Sequence, residues 1–247
     1  MRASAIEFRL RMLINAAIVI LGFWAPWMGL RGEDQRIPAL EWLALHLSRL
    51  NLLPFTTSAH VVILAGALVA GMAVVLRVSG SAYLGPGAVI SPAMQADAIT
   101  IAGPYRYVRN PLYVGLWCMV VAMALFMPPT GALAAIVLIT IFLFRLILAE
   151  EYFLSARLGE PYRNYLLTTP RLIPRLRTSL PDTDSKMQWV RALLSELTPI
   201  GVFIALALLS WSYDNTLMIR VILVAFGASL VARAFMPRND TLTDSTT

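Results

Sequence analysis

Apolar runs long enough to cross a bilayer recur along the chain, separated by short polar or basic stretches. The first covers residues 12–30. It follows Arg2, Arg9 and Arg11 and ends among Trp24, Trp27 and Arg31. A cleavable signal peptide has a shorter core ending in small residues, so this run reads as a retained transmembrane helix with an interfacial tryptophan pair. Over residues 37–53, Leu40, Leu43, Leu47 and Leu50 recur at helical spacing, with Glu41, His46 and Arg49 elsewhere. That pattern predicts an amphipathic helix lying on the membrane. Residues 55–76 form a second span closed by Arg77, and residues 78–110 form a long loop rich in Gly and Pro. Residues 111–127 and 132–149 are the third and fourth spans, and the uncharged turn at 128–131 makes them an antiparallel hairpin. Residues 193–213 are a fifth span with a kink expected at Pro199, and residues 217–236 a sixth. The predicted fold class is therefore all-α, a polytopic transmembrane helical bundle of about six spans. Its expected units are 1–54 (first span and surface helix), 55–175 (core), 176–192 (basic linker), 193–236 (C-terminal hairpin) and 237–247 (disordered tail).

Composition agrees with the pattern. The chain is 58% hydrophobic and 14% charged, whereas soluble domains carry about 25% charged residues. The net charge of +6 is nearly all arginine, with Lys186 the only lysine. In a membrane protein such an excess belongs to cytoplasmic loops and anionic headgroups. The basic residues form no patch interleaved with aromatics, so membrane lipids are the expected partners and nucleic acid is not. Cys118 is the only cysteine and His46 and His60 the only histidines, which excludes an intrachain disulfide and a Cys/His metal site. Alternating six spans puts the N-terminus, the 77–110 loop, the 152–191 segment and the tail on one side, which charge makes cytoplasmic. On the other side, Glu33, Asp34 and Glu41 offset Arg31, Arg36 and Arg49. The expected setting is a multi-pass protein, of a bacterial inner membrane, with both termini and the site cytoplasmic.

The candidate chemistry lies in two blocks. In the first, residues 101–115, Gly103-Pro104 marks a turn and Asn110-Pro111 a helix start, with Asn110 as N-cap and Pro111 at the first helical position. A helix N-terminus beside Arg106 and Arg109 is an anion site, or else a loop that snorkels arginines to headgroups. The hairpin carries Tyr105, Arg106, Tyr107, Arg109, Asn110 and Tyr113 towards Glu150 and Glu151 at the end of span four. Two carboxylates at a helix C-terminus oppose its dipole and call for a cation, with Arg106, Arg109 and Arg145 in range. Arg145 lies about a turn inside the span, so it must snorkel or find a partner. In the second block the helix continues to Leu158 and stops at Gly159; Tyr162 and Tyr165 then share a face, and Pro170 and Pro174 hold an extended segment. By itself this block reads as an interfacial strap of tyrosines and arginines.

Taken together, Gly103-Pro104-Tyr105-Arg106-Tyr107-Val108-Arg109-Asn110-Pro111-Leu112-Tyr113-Val114-Gly115, then Glu150-Glu151, Leu158-Gly159 with Tyr162 and Tyr165, and Pro170-Arg171 with Ile173-Pro174, resemble the isoprenylcysteine carboxyl methyltransferase and phospholipid methyltransferase superfamily. The resemblance covers roughly residues 55–175 and leaves out the first span, the surface helix and the last two spans. It implies S-adenosylmethionine as cofactor, bound at the cytoplasmic ends of the hairpin, and methylation of a lipid-like or prenylated acceptor arriving from the bilayer. By motif position it implies that Tyr105, Arg106, Tyr107, Arg109, Asn110, Pro111 and Tyr113 line the cofactor pocket. Glu150 or Glu151 would hold the cofactor's amino group, and Tyr162, Tyr165 and Arg171 would close the site, with Arg109, Asn110 and Arg171 nearest the chemistry. Asn110 stands where the best-known members have histidine, and it cannot act as a base at neutral pH. Leu158 and Thr169 stand where Phe and Val are common.

The chemistry suits such a ligand. Its carboxylate matches an arginine or the helix N-terminus, its ammonium matches Glu150 or Glu151, and tyrosine faces match its sulfonium. A carboxylate acceptor needs no base, whereas an amine acceptor must lose a proton. With Arg106, Arg109 and Arg171 around the site, a carboxylate-bearing acceptor is expected first. The rivals are a phospholipid amine N-methyltransferase, an NADPH-dependent reductase of sterol-type substrates, and a non-catalytic membrane scaffold of related fold.

Overall fold

A computed structural model describes residues 2–25, 37–84, 100–175, 177–178, 180 and 187–235. The end of the first run with Trp27 and Arg31, residues 85–99 of the loop and the tail from Pro237 lie outside them. The described residues are helical, without strands, as expected of an all-α bundle.

The helices are α1 (Ala5–Arg9), α2 (Arg11–Trp24), α3 (Ala39–Arg49), α4 (Phe55–Leu84), a 3-10 turn at Gly103–Arg106, α5 (Pro111–Ala124), α6 (Pro129–Leu158), α7 (Glu160–Thr168), α8 (Trp189–Ser195), α9 (Leu197–Ser212) and α10 (Asn215–Phe235). By length and apolarity α4 and α6 suffice to cross a membrane, and the bent α8–α9 pair is either a broken third span or a re-entrant loop. Arg11–Trp24, Pro111–Ala124 and Thr216–Ala232 are shorter apolar helices. A 14-residue helix such as α5 reaches only about 21 Å, short of a hydrocarbon core of about 30 Å. Among the described residues all six predicted runs are thus apolar helices, but only two have full spanning length, or three if the bent pair is one span.

The long helices lie side by side in the order α2, α6, α5, α4, α9, α10. Small residues set the close approaches: Gly131 of α6 lies on the backbone of Gly22 in α2, and Gly201 of α9 against Ala225 of α10. Ala67, Ala70 and Ala73 give α4 a narrow buried stripe against Cys118, Met119 and Ala122 of α5 and Val202 and Leu206 of α9. The amphipathic α3 docks on the turn of the α5–α6 hairpin, with the Ala39 and Leu40 amides donating to the carbonyls of Met127 and Leu125.

Two boundaries differ from the sequence reading. Arg77 does not close the second span; α4 continues through it to Leu84. A charge looked like a helix end because a lone arginine is costly in a bilayer, but Arg77 is paired with Glu196 (N–O 2.6 Å). The kink of the fifth span is not at Pro199. The chain bends by 69° between Ser195 and Leu197, and Pro199 sits in the first turn of α9. There its missing N–H has no intrahelical acceptor to lose.

The N-terminus is fastened to the hairpin. Ser4 and Glu7 form a capping box on α1, Glu7 pairs with Arg145 at 2.8 Å, and the Arg2 guanidinium lies 3.7 Å from the Tyr152 ring centroid. Arg145 has therefore found its partner on the first helices.

Candidate active site

The two blocks meet at the end of the bundle where α5 begins. Gly103 adopts φ +56, with the Tyr83 ring packed where a side chain would stand. This lets the 3-10 turn fold back under α4, and the Tyr105 hydroxyl donates to the Gly80 carbonyl at 3.4 Å. The blocks are zipped by backbone bonds from Arg109 N–H to Pro170 O (2.9 Å) and from Arg175 N–H to Tyr107 O (3.0 Å). Tyr165 Oη donates to Tyr105 O at 2.7 Å.

Gly159 breaks α6 from α7 at φ 64, ψ −139, a region that residues with a Cβ rarely enter. The turn aims Tyr162 and Tyr165 inward, with ring centroids 5.9 Å apart. Burial pushes both phenols well above their ordinary pKa, and burial does the same to Tyr105. All three are neutral hydroxyls at any working pH. A Cβ on Gly159 would meet nothing within 4 Å, so its cost is backbone strain alone. Gly159→Ala is expected to lower stability by about 1–3 kcal/mol, read as a lower unfolding temperature in detergent. An unchanged unfolding temperature would show that the turn tolerates a side chain.

A cleft of about 110 Å³ opens between the blocks. Tyr105, Arg109, Asn110, Pro111, Tyr113, Glu150, Tyr162 and Tyr165 line it, as do Leu84, Thr100, Leu112, Leu154 and Leu158. The first eight are among the residues singled out in the sequence; the other five carry no polar side-chain signal apart from Thr100. Arg106, Tyr107, Glu151 and Arg171 do not line the cleft. Arg106 turns away, giving Nε and Nη2 to the Leu180 carbonyl (3.2 and 2.6 Å). Tyr107 serves through its backbone.

The adjacent carboxylates are in opposite situations. Glu151 is 9% exposed and receives Arg171 Nη2 at 2.7 Å and Arg109 Nη1 at 3.4 Å. Arg171 also gives Nε to both its oxygens (3.1 and 3.2 Å), and that hydrogen bonding raises the Arg171 pKa above its ordinary value. Glu150 faces the cleft and accepts from Tyr113 Oη at 2.9 Å. The cation that bears on its charge is Arg11 of α2.

Arg109, whose side chain is 10% exposed, keeps a buried Nε–H without an acceptor. The cleft wall thus carries a carboxylate and, buried behind its surface, an unused donor. Asn110 stands at the N-cap position of α5, but its side chain does not cap. Its amide donates to Arg171 O at 3.1 Å, so it ties the blocks together and does not cap the first N–H groups of α5.

Tyr113 also lines a second, apolar groove of about 490 Å³ between α5 and α6. Leu76, Trp117, Phe144, Ile147 and the Leu172-Ile173-Pro174 stretch form its other walls. Arg171 stands at one end, its Cζ 5.6 Å from the Phe144 centroid.

Residues 61–160 match the family model described as phospholipid methyltransferase. That family is part of the superfamily of isoprenylcysteine and phospholipid methyltransferases, to which this segment is therefore similar. No curated protein and no solved structure matches the chain. The matched segment contains the first block, Glu150 and Glu151. It ends before Tyr162, Tyr165 and Arg171, and it includes neither α2 nor the α9–α10 hairpin.

Proposed function

We propose that this integral membrane protein is an S-adenosylmethionine-dependent methyltransferase acting on a lipid-like acceptor, with its cleft on the cytoplasmic side. The observation that carries the reading is a cleft-facing carboxylate beside an arginine with an unused donor. Glu150 has Tyr113 as its hydrogen-bond partner and Arg11 as the cation bearing on its charge, and the Arg109 Nε–H lacks an acceptor. A zwitterionic amino-acid group answers both, and about 110 Å³ is room for that end of the cofactor. Glu150 is assigned to the ammonium, and Arg109 with the first amides of α5 to the carboxylate. Glu151 is assigned instead to holding Arg109 and Arg171.

The cofactor supplies an electrophilic methyl on a sulfonium. Held by Glu150, Arg109 and the start of α5, it would offer that methyl group to the acceptor's lone pair. No proton moves when the acceptor is a carboxylate, so the chain's residues need only orient the partners and exclude water. The buried tyrosines do the second. The acceptor's hydrocarbon tail is assigned to the apolar groove and its anionic group to Arg171 at the groove's end.

A second reading, a phospholipid amine as acceptor, is favoured by the description of the matched family. It would need a base, and Glu150 is the carboxylate that lines the cleft. The test is calorimetric binding of S-adenosylmethionine to the detergent-purified full chain. Transfer of labelled methyl to a prenylated carboxylate and to phosphatidylethanolamine vesicles is then measured side by side. Saturable binding with transfer to the carboxylate is expected. Transfer to the amine alone would replace the first acceptor with the second. No binding by folded protein would overturn the methyltransferase reading.

A further inference from the structure

The C-terminal helices lie outside the matched segment, yet one of their residues is built into the support of the cleft. Glu196 sits at the 69° break between α8 and α9, with its side chain 1% exposed. Arg77 of α4 holds it at two points, Nε to Oε2 at 2.6 Å and Nη2 to Oε1 at 3.0 Å. Ser81 Oγ donates to Oε1 at 2.9 Å. A buried ion pair seldom adds stability over an apolar contact of the same shape, so its presence asks what geometry it fixes.

The answer lies on the other side of Arg77. Its remaining nitrogen, Nη1, reaches the Leu112 carbonyl at 3.5 Å. Its stem lies on Gly115, where a Cβ would come within 2.6 Å of Arg77 Cγ. One turn further along α4, Gly80 packs on Leu112, where a Cβ would meet it at 2.9 Å, and accepts from the Tyr105 hydroxyl. Leu84 then reaches the cleft itself. The last two turns of α4 therefore touch both the 3-10 turn and the start of α5, and Glu196 fixes the rotamer of the arginine at their base.

We propose that Arg77 and Glu196 are positioning residues, which hold the 103–113 segment against Glu150 across the cleft. The C-terminal hairpin thereby completes the site rather than merely adding crossings. This rests on the methyltransferase reading for its effect on binding, but not for its effect on the segment.

The experiment uses the full chain in detergent and three readouts: thermal unfolding, S-adenosylmethionine binding, and amide hydrogen exchange over residues 103–113 without ligand. Glu196→Gln keeps the shape and removes the charge. Because a single charge left behind in the bilayer can prevent folding, the deciding variant is the double Arg77→Met/Glu196→Leu, which replaces the pair with apolar bulk. It is expected to fold and unfold cooperatively within a few degrees of wild type. Its dissociation constant for the cofactor should rise about tenfold, and amides over 103–113 should exchange faster. Wild-type affinity and wild-type exchange in the folded double variant would reduce the pair to a structural staple and overturn the proposal. If the wild type itself binds no cofactor, the functional reading fails, and the exchange rates alone decide the positioning role.

Discussion

Glu150→Gln is expected to lower affinity for S-adenosylmethionine about 10–100-fold while leaving the fold intact, and Glu151→Gln to act chiefly on stability. The two residues are neighbours in sequence and identical in chemistry, so only their surroundings separate them. Glu150 looks into the cleft with a phenol as its hydrogen-bond partner and Arg11 as the cation bearing on its charge. Replacing it with the amide keeps an acceptor for Tyr113 and removes the charge that an ammonium would meet. A hydrogen bond to a charged group contributes about 1.5–3 kcal/mol, which is the quoted loss at about 1.4 kcal/mol per tenfold.

Glu151 instead neutralises Arg171 and Arg109. Its amide would leave both cations facing one neutral group. Breaking a fully buried pair costs about 3–5 kcal/mol. Arg171, 35% exposed, keeps part of its hydration, so a loss on the order of 2 kcal/mol is expected. Titration calorimetry and thermal unfolding of the two variants, run in parallel, check this. Loss of binding in folded Glu151→Gln with normal binding in Glu150→Gln would exchange the roles.

What the sequence could show was what hydrophobic spacing and local chain chemistry encode. The order of the helices, the hairpin and the break at Gly159 were legible because each depends on residues a few positions apart. The division of labour between Glu150 and Glu151 was not. It depends on which face of α6 meets Tyr113 of α5 and which meets Arg171, a rotation of about 100° between adjacent helical residues. The departure of Arg106 towards Leu180 was hidden for the same reason, since a side chain's direction in a short 3-10 turn is set by what packs around it.

The Arg77–Glu196 pair was half visible. Glu196 is the only acidic residue in residues 193–213, and Arg77 closed an apolar run. Each is costly in a bilayer alone, and an intramembrane charge calls for a named partner. Taking Arg77 as a boundary concealed the match, because a boundary charge needs no partner. Their separation of 119 positions left periodicity with nothing to say.

Filling the apolar groove is expected to separate the two halves of the reaction. Val114 follows Tyr113 on α5 and lines the groove but not the cleft. A tryptophan there would occupy space that an acceptor's tail needs. The groove, at about 490 Å³, lies within the range of about 300–1,000 Å³ for sites that hold a small molecule. Tail burial in it is worth about 0.8 kcal/mol per methylene, so excluding only two or three methylenes amounts to about 10–50-fold in apparent affinity. Val114→Trp should therefore raise KM at least tenfold for a long-chain acceptor and much less for a short-chain analogue. Affinity for S-adenosylmethionine should stay within about twofold of wild type, because Glu150 and Arg109 are untouched. Equal losses for long and short acceptors would place the tail elsewhere. A parallel loss of cofactor affinity would mean that groove and cleft are one compartment, joined through Tyr113 rather than divided by it.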